Sequence, residues 1–267
     1  MTTQPTFFLP HGGGPCFFME DPEGIWRRLE DFLAHVIADL PERPKALLIV
    51  SGHWEAPRFT VNDAAQPPLL YDYYGFPEHT YRLRWDAPGA PAVAHRAASL
   101  LERAGMASAR EGERGWDHGV FVPMKVAVPG EDIPTAQLSL LAGLDPAAHI
   151  AAGRALAPLR DEGVLIIGSG FTTHNLREAR FGDTSGSAPE WGREFDDWAR
   201  ETVEGGDVDA VLDFENSAPA AHRAHPRTEH FAPLFVSLGA TADVGVNASS
   251  IIDGFWYGLA KRSFQFS

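Results

Sequence analysis

The 267-residue sequence contains a single cysteine and no long apolar run. Because Cys16 stands alone, an internal disulfide is impossible and a metal site built only from thiolates is excluded. No stretch approaches the roughly 20 consecutive apolar residues of a membrane span. The N-terminus also lacks the basic start and apolar run of a signal peptide. We therefore expect a cytoplasmic protein with no membrane partner.

Positive charge is also scarce, since 22 lysines and arginines face 36 acidic residues and give a formal net charge of −14. An acidic surface repels phosphate backbones, so we expect no nucleic-acid partner. A composition of 44% hydrophobic and 22% charged residues is that of a folded chain. The length is near the upper limit for one hydrophobic core, which predicts a single domain over residues 1–267. A monomer and a homodimer both fit.

Strand-like and helix-like patterns alternate along the chain. Continuous apolar runs predict buried strands, and apolar residues at helical spacing predict helices between them. This alternation predicts an α/β fold, with a mostly parallel central sheet and helices on both faces. Ligands of such sheets bind beyond the carboxyl ends of the strands. The predicted strands are residues 6–10, 46–50, 134–140, 164–167 and a late strand in 255–266; the predicted helices are residues 25–40, 92–104, 147–159, 190–203 and 229–236.

Residues 67–88 differ from the rest because they are dense in aromatic residues and prolines and show no clear period. We interpret this segment as a long ordered excursion that lines a binding site.

The 11 histidines are more than a chain of this length usually carries. His11, His53 and His174 each follow a predicted strand and have glycines nearby, which allow tight turns and close backbone approach. His230 lies at a predicted helix start, with Thr228 as a candidate N-cap. A histidine near a helix N-terminus is biased towards the neutral form, which is the form that binds metals. These four histidines predict a shared site for a divalent metal ion.

His118, within the sequence GWDHG, is a fifth candidate whose position fits loop structure and function equally well. His35, His95 and His149 fall in predicted helices, and we expect them at the surface. Imidazole ligands suit zinc, iron, copper or nickel better than magnesium or calcium. Neutral ligands leave the ion its full charge and open positions, which serve either hydrolysis through a bound water or oxygenation of a chelating substrate.

Six short motifs occur in order along the chain and carry a resemblance to a known family. They are PHGGGP (10–15), VSGHW (50–54), YGFP (74–77), GWDHG (115–119), a glycine followed by HNL (170–176), and EHFAPL (229–234). The chain resembles, from about residue 6 to 240, the class III extradiol ring-cleaving dioxygenases (LigB-like). Within that family it is most similar to the DODA-type branch that includes 4,5-DOPA dioxygenase.

The resemblance implies an enzyme that opens the ring of a catechol-type substrate with O2 and yields a muconic semialdehyde. It implies a non-haem Fe(II) site, with Zn(II) as the alternative. His11 and His53 look like the first two metal ligands, and His230 stands where some relatives carry a glutamate. His174 looks like the acid/base histidine and is also a candidate fourth ligand in a zinc form. His118 looks like a histidine that faces the substrate. The implied partners are a small aromatic diol and O2.

Aromatic residues near the motifs are candidates for contact with the substrate ring, in particular Trp54, Tyr74 and Phe171. Aromatic side chains pack in the core more often than they contact a ligand, so core packing is the alternative for these three residues. An acidic substituent on the substrate could pair with Arg82 or Arg227.

Three other functions compete with this one. In an esterase of the α/β-hydrolase type, HGGG would form the oxyanion hole and Ser169 the nucleophile, but the required outer glycines are replaced by Ile167 and Phe171. A zinc hydrolase could use the same histidines, with Glu55 or Asp117 as general base. A non-catalytic binding protein on the same scaffold is the third alternative, and the presence of all five histidines argues against it.

Overall fold

A central sheet of eight strands organises the fold in the computed structural model, which describes residues 2–267. Two further short strands form a separate antiparallel hairpin. The strands are β1 (Thr6–Pro10), β2 (Ala46–Ala56), β3 (Phe59–Asn62), β4 (Ser108–Glu111), β5 (Thr135–Leu141), β6 (Val164–Gly170), β7 (Ala248–Ile252), β8 (Phe255–Trp256), β9 (Leu259–Ala260) and β10 (Ser263–Phe266).

The strand order is β4-β3-β5-β2-β6-β1-β10-β7. Strands β5, β2, β6 and β1 are parallel neighbours at the centre of the sheet. Antiparallel pairs join β3 to β5 on one side, and β10 to β1 and β7 on the other. The predicted fold class, a mostly parallel sheet flanked by helices, is therefore confirmed.

Helices connect the strands and cover both faces of the sheet. Along β2, Leu48 and Val50 join one apolar cluster, while Leu47 and Ile49 join another. This alternation explains the continuous apolar run, because side chains of a strand point to opposite faces in turn. The helices are α1 (Arg27–Val36), α2 (Pro91–Arg103), α3 (His118–Ala127), α4 (Pro146–Leu156), α5 (Pro158–Asp161), α6 (Glu190–Glu204), α7 (Val208–Leu212), α8 (Phe214–Ser217), α9 (Ala221–Ala224) and α10 (Ala232–Gly239).

The ends of the central strands form the edge on which the site is built. Pro10 pairs with Gly170, and Ser51 pairs with Ser169, so β1, β2 and β6 reach this edge together. The pairing of β2 with β5 shifts its register between Val50 and Glu55. His53 lies inside this irregularity, and a bulge is a common device for redirecting a side chain towards a site.

The turn before α10 is held tightly against the end of β6. Phe171 donates its backbone N–H to the carbonyl oxygen of His230 at 2.7 Å. A Cβ on Gly170 would lie 2.0 Å from the same oxygen, so only glycine fits there. This close approach fixes the position of His230 relative to the sheet.

Three sequence predictions need correction. The strand predicted to end at Val50 continues to Ala56 and therefore contains His53. Thr228 does not cap a helix through its side chain, because α10 begins at Ala232 and has no side-chain cap. His149 is fully buried, where its Nε2 accepts the N–H of Leu141 at 3.1 Å. His35 and His95 are exposed, as predicted.

Residues 67–88 form the expected excursion, whose regular structure is a short 3-10 helix (Glu78–Arg82). Among residues 2–267, no helix combines the length and the apolar character needed to traverse a bilayer.

Candidate metal centre

All five histidines that the sequence analysis singles out meet at the carboxyl edge of the parallel strands. His11 follows β1, His53 lies near the end of β2, and His174 follows β6. His118 is the first residue of α3, and His230 lies in the turn before α10. Their ring centroids lie close together, for example 4.8 Å between His11 and His53 and 4.0 Å between His53 and His118.

Three of these imidazoles point one nitrogen at a common centre. The Nε2 atom of His53 lies 3.0 Å from Nε2 of His11 and 3.3 Å from Nε2 of His230. These three residues form one compact group of potential metal ligands, and His174 belongs to a neighbouring group with Glu229 and His230. The structure therefore brings together the three residues predicted as the main ligands.

The outer nitrogens of two of these rings have partners that fix the proton. Ser169 donates its single hydroxyl proton to the carbonyl oxygen of Gly119 at 2.5 Å, so its Oγ accepts the Nδ1–H of His11 at 3.1 Å. His230 donates its Nδ1–H to Oε1 of Glu229 at 3.0 Å. This assignment leaves the inward Nε2 atom of both rings with a free lone pair.

Burial keeps the three rings neutral. It lowers the pKa of His11 and His230 well below the usual value, and the charges of neighbouring histidines lower both further. Burial, and to a smaller extent the charge of His118, lowers the pKa of His53 to about 4. At neutral pH the three rings are therefore in the uncharged form that binds a metal.

The donor set fits a metal ion. The Nε2 lone pairs of His11 and His230 face the same centre without a proton, so a cation there stabilises the arrangement. With metal–nitrogen bonds of about 2.0–2.1 Å, two ligands at right angles lie about 3 Å apart and two in a tetrahedron about 3.4 Å apart. The Nε2 separations of 3.0 and 3.3 Å match this interval.

Asp72 joins the site from the aromatic excursion. Its Oδ1 accepts the Nδ1–H of His118 at 2.7 Å and the backbone N–H of His118 at 2.9 Å. Its Oδ2 lies 3.6 Å from Nδ1 of His53. Burial raises the pKa of Asp72, but the hydrogen bond and the charge of His118 outweigh burial and lower it overall.

Glu229 occupies a comparable place on the other side of the site. Besides accepting from His230, its Oε1 lies 3.7 Å from Nδ1 of His174. The rings of His174 and His230 stack with a centroid distance of 3.5 Å and an angle of 17°. Burial raises the pKa of Glu229, but the neighbouring His174 and Arg227 bring it below its usual value.

Asp117 lies behind the metal centre and is completely buried. It accepts hydrogen bonds from Ser51 Oγ at 2.7 Å, Gln137 Nε2 at 2.6 Å and Arg114 Nη2 at 3.2 Å. Such a carboxylate supports the strands around His53 and is not exposed to attack a substrate. Sequence reasoning missed both partners, because Gln137 comes from the distant strand β5 and Arg114, three residues before Asp117, belongs to none of the motifs.

The five histidines line a cavity of about 510 Å³ with largely aromatic walls. Phe171 and Tyr74 line it, with Tyr74 90% exposed at the rim. Trp54 is buried beneath the guanidinium of Arg114, 5.0 Å from its ring, and is not part of the lining. The geometry therefore does not support the predicted substrate contact of Trp54. The aromatic lining consists of Trp26, Tyr73, Tyr74, Phe76, Phe171, Phe181, Trp256 and Tyr257.

A larger cavity of about 840 Å³ lies near the amino ends of β1 and β6, where Pro5 and Asp161 line it. It contains none of the five clustered histidines. Its size therefore does not make it the better candidate for a reaction site.

Comparisons with known proteins identify similar chains. Residues 5–253 match the family model described as the catalytic LigB subunit of aromatic ring-opening dioxygenase. The chain is 37% identical over 265 residues to a 4,5-DOPA dioxygenase extradiol of Beta vulgaris, covering 98% of this chain and 96% of that protein. It is 38% identical over 255 residues to the dioxygenase tasH of Hapsidospora irregularis, covering 90% and 79% of the two chains.

Among solved structures, an uncharacterized protein of Escherichia coli K12 superposes with a TM-score of 0.78 at 29% sequence identity. The match covers 99% of this chain and 100% of that chain.

A buried histidine behind the site makes stability depend on pH. His225 packs on the ring of Phe231 at 4.9 Å, and its Nε2–H donates to the carbonyl oxygen of Thr172 at 2.7 Å. Burial lowers its pKa to about 4. Between about pH 4 and 6.5 the unfolded chain therefore binds more protons than the folded one. The free energy of unfolding should fall on acidification, by up to about 1.4 kcal/mol per pH unit for this residue.

We expect His225→Gln to flatten this dependence, since glutamine keeps an N–H donor for Thr172 and does not titrate. The test is urea unfolding of metal-free protein at pH 7, 6 and 5, with the exposed His222→Gln as matched control. An unchanged slope in His225→Gln would contradict the assignment.

Proposed function

Since the chain belongs to the LigB family of aromatic ring-opening dioxygenases, we propose that its histidine-lined cavity is the site of ring cleavage. The chain is accordingly a metal-dependent extradiol dioxygenase, as the sequence analysis predicted. The observation that supports this site is the convergence of the Nε2 atoms of His11, His53 and His230 inside an aromatic-walled cavity. We propose a catechol-type diol as the substrate and a muconic semialdehyde as the product.

We propose His11, His53 and His230 as the metal ligands, and Fe(II) as the metal. When bound, Fe(II) supplies open coordination positions for the diol and O2, together with one-electron redox chemistry. Zinc is redox-inactive, so a zinc form would bind the diol without activating O2. His174 as a fourth ligand of a zinc form stays a prediction, and its place beside His230 is compatible with that role.

Two further histidines face the cavity and are proposed as catalytic residues. His118 gives its Nδ1–H to Asp72, so its Nε2 is left to accept a hydrogen bond or a proton from a substrate hydroxyl. His174 lines the cavity with its Nδ1 turned towards Glu229, and we propose that it transfers a proton during ring opening. A positioned acid or base of this kind typically contributes about 10² to 10⁴ in rate.

The cavity walls indicate which substituent the catechol carries. Aromatic side chains hold the ring and exclude water, while the acidic side chains in the lining are Glu20, Asp21 and Glu23. Within residues 2–267, the lining contains no lysine or arginine. The two cations considered for an acidic substituent have other partners, because Arg82 pairs with Glu78 and Arg227 with Glu55. The four residues in these two pairs do not line the cavity. We therefore propose a catechol with an uncharged or cationic side chain.

Residues 1–267 are proposed to form one catalytic domain, because Trp256 and Tyr257 lie beyond the family match at residue 253 and still line the cavity. The cytoplasmic location and the monomeric or homodimeric state stay predictions.

The zinc hydrolase loses support from the same geometry. Of its two candidate bases, Asp117 is buried and fully hydrogen-bonded, and Glu55 is paired with Arg227.

The first test is oxygen uptake by protein loaded anaerobically with Fe(II). With 4-ethylcatechol, dopamine and 3,4-dihydroxyphenylpropionate as substrates, we expect O2 consumption and a yellow ring-fission product. We expect kcat/KM for dopamine and 4-ethylcatechol to exceed that for the carboxylate by about tenfold, which corresponds to about 1.4 kcal/mol. A preference for the carboxylate would contradict the substrate class. No uptake with any catechol, at confirmed iron occupancy, would contradict the function.

A second test separates the roles of the histidines. We expect His53→Ala to lose both metal and turnover, because it removes one of three converging ligands. His174→Ala should retain most of the metal but lose turnover by about 10² or more, as a proton-transfer residue would. Metal content is measured by atomic absorption after gel filtration, and turnover by oxygen uptake. Equal loss of metal in the two variants would show that the roles are not separate.

A further inference from the structure

Asp72 lies in the segment that forms the aromatic wall of the cavity, but its side chain contacts histidines of the candidate metal centre. It stands in the aromatic excursion, next to Tyr73, whose ring lines the cavity. Its carboxylate nevertheless contacts two histidines from other elements, His118 at the start of α3 and His53 in β2. One carboxylate therefore touches both a proposed metal ligand and the proposed substrate-facing histidine.

We propose that Asp72 is a positioning residue that holds His53 and His118 in the Nδ1–H tautomer, so that both Nε2 atoms face the cavity. This inference rests on the metal site proposed above and goes beyond it, since Asp72 is not one of the three proposed ligands. The role follows from the geometry of its two oxygens.

The contact with His118 fixes that ring directly. Oδ1 of Asp72 lies 2.7 Å from Nδ1 and 2.9 Å from the backbone nitrogen of the same residue. A carboxylate only accepts hydrogen bonds, so the ring Nδ1–H and the backbone N–H of His118 both donate to Asp72. The backbone bond also satisfies an N–H at the start of α3, where helices have free donors and favour negative charge.

The contact with His53 favours the tautomer that a metal ligand needs. A neutral imidazole carries its proton on either nitrogen, and a proton on Nε2 would point into the group of converging nitrogens. Oδ2 of Asp72, 3.6 Å from Nδ1 of His53, attracts the proton to the outer side. His11 and His230 hydrogen-bond their own acceptors, Ser169 and Glu229, whereas Asp72 acts on His53 through its charge across 3.6 Å.

The excursion is itself braced around Asp72. Tyr71 donates its hydroxyl to the carbonyl oxygen of Leu83 at 2.5 Å, and Tyr73 donates to that of Thr80 at 2.6 Å. These bonds fix the residues on either side of Asp72. The segment that shapes the substrate wall thus also sets the orientation of two histidines at the centre.

The test compares Asp72→Asn with a matched control. Asparagine keeps the shape of the side chain but has no charge and only one acceptor oxygen, so it cannot both accept from His118 and attract the proton of His53. Asp63→Asn is the control, because it removes the same charge from an aspartate that also contacts a histidine, His95 at 3.1 Å, outside the cavity. Asp72→Glu restores a carboxylate and so separates the loss of the carboxylate from a general folding defect. Circular dichroism would reveal such a defect.

Two readouts do not depend on turnover. Competition with a chelator gives the zinc affinity, which we expect to fall about 10- to 100-fold in Asp72→Asn, to recover in part in Asp72→Glu and to stay unchanged in Asp63→Asn. Nitrogen NMR of histidine-labelled, metal-free protein gives the tautomers in the absence of a metal that would fix them. We expect Nδ1–H forms of His53 and His118 in the wild type and a changed tautomer of at least one in Asp72→Asn.

Wild-type zinc affinity and wild-type tautomers in Asp72→Asn would overturn the inference. An affinity of Asp72→Glu no better than that of Asp72→Asn would overturn it as well. Failure of the wild type to bind zinc or iron would instead overturn the proposed metal site, so the two failures are distinguishable.

Discussion

The convergence of three neutral imidazole nitrogens on one point is the constraint on which the rest of the site depends. The Nε2 atom of His53 lies only 3.0 and 3.3 Å from those of His11 and His230, so the surrounding structure must hold the three rings in place. Very close packing provides this hold. A Cβ on Gly119 would lie 2.4 Å from Ser51 Oγ, and one on Gly52 would lie 3.0 Å from the carbonyl oxygen of Glu229. The glycines near the histidines are therefore required by the spacing of the ligands.

Hydrogen-bond acceptors around the imidazole rings also keep the rings in place. Asp72 and Glu229 each contact one proposed ligand and one proposed catalytic histidine. Both carboxylates therefore connect the metal centre to the groups that handle protons. Partners of this kind orient the ligands, and losing one typically costs about 10- to 100-fold in metal affinity or activity. The aromatic cavity then brings a substrate ring to the same edge of the sheet.

Much of this arrangement could be predicted from the sequence, because its strongest signals are local. Buried strands followed by a histidine mark the carboxyl edge of a parallel sheet, which placed His11 and His174 correctly. Contacts between residues far apart in the sequence were not predictable. Trp26 and Trp256 reach the cavity from separate segments, with ring centroids 5.3 Å apart, and neither follows a motif. Helix α3 was missed because Pro123 interrupts its pattern and its first residue is in a glycine-rich stretch.

X-ray absorption spectroscopy of the zinc-loaded protein tests the convergence most directly. The scattering pattern of imidazole counts the rings bound to the metal and gives the bond lengths. The structure predicts at least three imidazole nitrogens at about 2.0–2.1 Å, and His174→Ala, which retains the metal, should keep the three from His11, His53 and His230. A first shell with fewer than three imidazoles in the wild type would contradict the metal centre.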